Sequence, residues 1–161
     1  MRVIGLLCLC ACQPRAPGAF CDAPPPPSLE IGTGEAVFES LDAPAELQAY
    51  ERLQGGIHIW GSLRATGIWP GVPGDLSDPN NPVVDFLIID PTGAPVGGYD
   101  GLARAFVEGR DGPHELVGDV LVVDMNMEPE GSPATLDVRV TDACGLVLTA
   151  QSDVVIFDPW E

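Results

Sequence analysis

From Gln54 to Ile68 the chain reads QGGIHIWGSLRATGI, a glycine turn followed by sustained alternation. Ile57, Ile59, Gly61, Leu63 and Ala65 fall on one face of an extended strand, and His58, Trp60, Ser62, Arg64 and Thr66 on the other. The first face is apolar throughout and is assigned to a core. The second is polar except at Trp60, which would cover a neighbouring strand or loop. At about 3.3 Å per residue the run from Ile57 to Ile68 spans about 40 Å, longer than an ordinary strand, so Gly61 is expected to mark a bulge or bend.

Shorter segments of the same kind fill the rest of the chain. Leu29–Ile31, Ala36–Phe38 and Glu46–Tyr50 read as strands before the long one, and Val83–Asp90 as a strand after it, closed by the turn Asp90-Pro91-Thr92-Gly93. Between them, Trp69 to Pro82 carries too much Pro, Gly, Asp and Asn to be regular structure. Strands are expected near Pro95–Gly97 and Ala103–Val107, and from His114 through Gly118 to Met125. Leu136, Val138 and Val140 alternate with polar Thr135, Asp137, Arg139 and Thr141. The turn Thr141 to Gly145 then leads into Leu146–Ala150 and Val154–Phe157.

Nineteen Gly and 17 Pro, 45% hydrophobic content and no amphipathic helix of three turns point to an all-β chain. At 161 residues it is long enough for one domain with a sizeable core. The pattern predicts a two-layer β-sandwich of about seven to nine strands over residues 29–161.

The N-terminus reads differently. Arg2, a short apolar core from Val3 to Leu9 and small Ala11 have the layout of an export signal over residues 1–11, too short to span a bilayer. Leu9-Cys10-Ala11-Cys12 resembles the lipobox of bacterial lipoproteins, which implies cleavage before Cys12 and lipidation of its thiol. Leu9 is bulky where that family has Gly or Ala before the lipidated cysteine, so Cys12 is favoured over Cys10. An ordinary secretory signal cleaved nearby is the alternative. Gln13, where an Asp would favour inner-membrane retention, implies by the same resemblance an outer-membrane lipoprotein, facing the periplasm or the surface. Residues 12–28, with Pro14, Pro17 and Pro24 to Pro27, then read as a lipidated, proline-rich tether reaching at most about 5 nm.

The closing strand, Asp-Ala-Cys-Gly turn and strand resemble the last hairpin of bacterial immunoglobulin-like domains. With LEIGTG and QGGIHIWGSLRATGI, the layout is similar to uncharacterised lipoproteins of myxobacteria, a likeness that implies a fold and a place but no activity. If Cys8 and Cys10 leave with the signal and Cys12 carries lipid, Cys21 and Cys144 remain, and an oxidising compartment favours a disulfide between them. Two free cysteines are the alternative.

The basic residues are seven arginines set against 24 acids, for a formal net charge of −17. No basic cluster exists for phosphate binding, which excludes nucleic acid, and the acidity disfavours attachment to anionic lipid by charge, so any membrane tie is hydrophobic or covalent. His58 and His114 show no metal-ligand spacing, and Ser62 lies outside any nucleophile elbow. Asp75, Asp78 and Asn81 in one loop, and Asp124 to Glu130 in another, offer close-spaced hard oxygens for Ca²⁺, without an EF-hand's glycine and final glutamate. Trp69, with Trp60 and Trp160, offers faces for sugar stacking. The sequence thus reads as a non-enzymatic, lipid-anchored structural or interaction module of the cell envelope, with an unknown envelope protein or glycan as partner. The alternative is a calcium- or carbohydrate-binding surface module, and a hydrolase comes third. No cofactor other than Ca²⁺ is implied.

Overall fold

The structure, a computed structural model, describes residues 17–41, 45–51, 56–110, 112–124 and 131–157. It is nearly all-β. A five-residue helix, α1 (Gly18–Asp22), precedes eleven strands: β1 (Ser28–Thr33), β2 (Glu39–Ser40), β3 (Ala45–Gln48), β4 (Tyr50–Glu51), β5 (Ile57–Thr66), β6 (Val83–Ile89), β7 (Pro95–Ala103), β8 (Val107–Glu108), β9 (His114–Val123), β10 (Ser132–Thr141) and β11 (Val147–Phe157). All are joined in one mixed sheet in the order β2-β1-β5-β9-β7-β6-β10-β11-β3, with β4 added to β5 and β8 to β9. Among the described strands only β3 and β11 run parallel.

The sheet curls back on itself because residues 45–51 belong to both of its ends. β3 pairs with β11, the Ala49 N–H donates to the Phe157 carbonyl at 2.9 Å, and β4 pairs with β5. Inside the curl lie Ile59, Leu63 and Ala65 from β5, Val84, Phe86 and Ile88 from β6, Leu121 from β9, and Leu136, Val138 and Val140 from β10, all without solvent exposure. The apolar faces read from the alternation in β5 and β10 are therefore the core faces. The opposite face of β5 is partly covered as well: His58 and Ser62 are buried, and the Ser62 hydroxyl donates to the Gly34 carbonyl of the β1–β2 turn.

Gly61 is not the bulged residue. Between the pairs Gly61–Asp119 and Leu63–Leu116, β5 has one residue, Ser62, where β9 has two, Val117 and Gly118. The extra residue sits on β9, where Gly118 takes φ +72° and a Cβ would lie 2.2 Å from the Glu35 carbonyl oxygen. Gly61 is a glycine for packing: a Cβ there would come within 2.7 Å of both Leu121 Cδ1 and Phe86 Cε1.

Other boundaries shift for local reasons. Ala36–Phe38 forms a bend rather than a strand, because the chain must reverse between β1 and β2. The expected strands at Pro95–Gly97 and Ala103–Val107 are replaced by the continuous β7. Its register shifts twice against β6, and Gly97 and Gly98 fit where a Cβ would strike the Val122 and Phe86 carbonyls. Leu146–Ala150 and Val154–Phe157 are parts of one strand, β11, paired along its length with β10.

The described part of the proline-rich segment lies against the domain. The Phe20 ring meets Trp69 edge-on at 5.8 Å, Thr66 Oγ1 donates to the Pro26 carbonyl at 2.8 Å, and Cys21 is joined to Cys144, 123 residues away, with 5.4 Å between their Cα atoms.

Candidate functional site

The anomaly on the polar face of β5 is Trp60, and the structure builds an aromatic cluster around it. Cross-strand pairing sets Tyr50 opposite His58. Ring centroids then lie 5.7 Å apart for Tyr50 and His58, 5.1 Å for His58 and Trp60, and 6.3 Å for Tyr50 and Trp60. Thr33 Oγ1 donates to the Trp60 carbonyl at 2.9 Å, which holds the end of β1 beside the cluster.

Tyr50 and Trp60 form one wall of a cavity of about 350 Å³ between the β1–β2 hairpin, β3 and β5. Glu35, Glu39, Glu46 and Gln48 complete its polar lining. Among the described residues, the salt bridges are Arg64 with Glu30 and Glu115, and Arg104 with Asp119; none reaches Glu35, Glu39 or Glu46. Three exposed glutamates and two aromatic rings thus line one cavity, and none of the salt bridges among the described residues involves those glutamates.

Two arginines elsewhere are committed. Arg64 lies 4.0 Å from the Phe38 ring centroid while it donates to Glu115. Arg104 donates to Asp119 at 2.8 Å and lies over the Tyr99 ring, whose hydroxyl also donates to Asp119. Burial first, then the Asp119 carboxylate, hold the Tyr99 phenol far above its ordinary value. Burial alone would lower Arg104, but Asp119 outweighs it and raises the guanidinium. A phenol kept protonated and a carboxylate with two donors make a brace across β7 and β9, whose strand pairing among the described residues is limited to Gly97 and Val123.

The loop singled out for calcium is held by its own hydrogen bonds. Asp75 Oδ1 accepts from the Ser77 N–H and hydroxyl, and these bonds hold its carboxyl below the usual range. Asp78 Oδ1 accepts from the Asn80 N–H and side-chain amide. Asn81 accepts from the Val72 N–H and donates to the Asp75 carbonyl. Among the described residues no three His, Cys, Asp or Glu side chains converge in a metal-holding arrangement. The second acidic loop, 125–130, lies outside the described residues, as do Trp160 and the lipobox with Cys12.

Trp69 packs on Phe20 of α1, and its backbone N–H donates to Asp142 Oδ2 at 2.8 Å. It is not beside Trp60 in the cavity. Sequence reasoning found Trp60 through its break in the alternation. It missed Tyr50 and the three glutamates, whose convergence depends on β4 crossing to β5, and no local spacing signals that.

Among the described residues no helix is long and apolar enough to cross a membrane. No protein-family model matches the chain, and neither do curated proteins or solved structures.

Proposed function

We propose that this chain is an exported, lipid-anchored module of the cell envelope that works by holding or binding rather than by catalysis. The observation that carries the reading is the Cys21–Cys144 bond, since such bonds persist in oxidising compartments outside the cytoplasm. Cys12 takes the lipid, and Gln13 after it favours the outer membrane. The bond ties the segment that follows Cys12 to the turn between β10 and β11, so a pull on the anchor is carried into the sheet rather than into α1 alone. The fold is an immunoglobulin-like sandwich in this reading. Its support is the sparse strand pairing of β9 with β7, limited among the described residues to Gly97 and Val123, which marks off two wings, β2-β1-β5-β9 and β7-β6-β10-β11-β3.

Cell fractionation tests the placement. The wild-type chain should sediment with membranes and remain there in high salt, because a lipid anchor is insensitive to screening. Cys12→Ser should appear in the soluble exported fraction. A Cys12→Ser chain that still sediments, or a wild-type chain found in the cytoplasm, overturns it.

A second reading, a ligand-binding surface module, is favoured by the cavity beside Trp60.

A further inference from the structure

The cavity beside Trp60 has a composition that narrows what it can hold. Its aromatic lining is Trp60 and Tyr50, whose ring planes lie 54° apart rather than forming one flat platform. Its polar wall is Glu35, Glu39, Glu46 and the amide of Gln48. Three carboxylates accept hydrogen bonds and carry negative charge, so they suit a ligand that brings N–H donors and positive charge. A cation satisfies both walls at once, because aromatic faces and carboxylates attract positive charge together. The protein uses the same chemistry internally, where Arg64 sits over Phe38 and beside Glu115, and Arg104 over Tyr99 and beside Asp119. At Trp60 the ring and the acids are present and no described protein cation fills them.

We propose that the cavity bounded by Trp60, Tyr50, Glu35, Glu39 and Glu46 binds a small organic cation, an ammonium group set against the two rings and neutralised by the glutamates. The inference rests on the reading of the chain as a ligand-binding module, and it specifies the class of ligand. A cavity of about 350 Å³ accommodates a choline-sized or short diamine ligand, at the lower end of small-molecule sites. The overall charge of −17 raises the local concentration of such a ligand and disfavours anions.

Calorimetric titration of the full chain with choline chloride, and separately with putrescine, at low ionic strength tests it. Saturable binding of at least one probe is expected, weakened progressively by added salt. Trp60→Leu should reduce affinity about tenfold. The double variant Glu39→Gln with Glu46→Gln should do the same, and because both residues are exposed on short strands, it keeps the test open if Trp60→Leu does not fold. No saturable heat from either probe overturns the proposal, as does an affinity unchanged in the glutamine variant. Salt-insensitive binding of N-acetylglucosamine with no response to choline or putrescine would overturn the cation while leaving the ligand-binding reading intact.

Discussion

Ser62 Oγ accepts the backbone N–H of Gly118 at 3.2 Å, across the point where β9 carries its extra residue. The same hydroxyl donates to the Gly34 carbonyl at 3.1 Å, so one fully buried side chain fastens the bulge to the β1–β2 turn. Ser62→Ala leaves a buried donor and a buried acceptor unsatisfied and should cost about 1–3 kcal/mol. Gly118→Ala should cost at least as much, since it adds positive-φ strain and a contact of 2.2 Å with the Glu35 carbonyl. Urea unfolding measures both, as a lower midpoint with an unchanged slope. A loss under about 0.5 kcal/mol for Ser62→Ala would mean that water replaces the hydroxyl.

The Cys21–Cys144 bond closes a loop of more than a hundred residues, for which the chain-entropy account gives about 4–5 kcal/mol. Cys21→Ser should lose roughly 3–5 kcal/mol in denaturant unfolding, and reductant should lower the wild type to the same level. Equal stability with and without reductant would show that the fold does not depend on the clasp.

Asp142 organises the turn beside that clasp. Its Oδ1 accepts the N–H groups of Cys144 and Leu146, both at 2.9 Å, and its Oδ2 that of Trp69 at 2.8 Å. Asp142→Ala deprives three backbone donors of their acceptor and should cost about 3 kcal/mol or more, well beyond the loss for a surface aspartate. Trp69 fluorescence should then change with the variant in the native state, since its anchor to the turn is gone. A stability within about 0.5 kcal/mol of wild type would contradict this role.

Asp85 and Asp100 stand together on β6 and β7. The hydrogen bond that the protonated Asp100 carboxyl donates to Asp85 first, and the Asp85 charge second, hold the Asp100 carboxyl above the ordinary value of 3.8. A carboxyl raised in the folded state contributes stability that is present below its unfolded value and lost as pH rises through the folded one. At neutral pH the pair is therefore a repulsion. Asp100→Asn should raise the Tm at pH 7 and leave it unchanged near pH 3, and a variant less stable at pH 7 would sink the assignment. Asp85 is the poorer choice for this test because its Oδ1 also accepts the Gly101 N–H.

What the sequence disclosed follows from where one face was apolar and the other polar. The alternation through Leu136, Val138 and Val140 and through Ile59 and Leu63 fixes both register and core, and the structure agrees. β7 was read only in fragments because Gly97, Gly98 and Gly101 remove the side chains that carry the signal, and what selects them there is the approach of other backbones. α1 was missed because five residues have no helical period, and its contacts are Cys144 and Trp69, far along the chain. The length of the run marks Gly61 as a bulge or bend, and the register does break beside it, with the extra residue on the partner strand β9. The site was half legible. Trp60 stood out as the apolar exception on a polar face, whereas Tyr50 reaches it only because β3 and β4 connect the two ends of the sheet.

The most direct test of an exported, lipid-anchored and clasped module is the intact mass of the full-length gene product recovered from membranes without reductant. The expected species is a chain beginning at Cys12, heavier than its polypeptide by a diacylglyceryl group and any further acylation, with no free thiol until reduction exposes Cys21 and Cys144. A chain beginning elsewhere without lipid, or one with both thiols free as isolated, would contradict it.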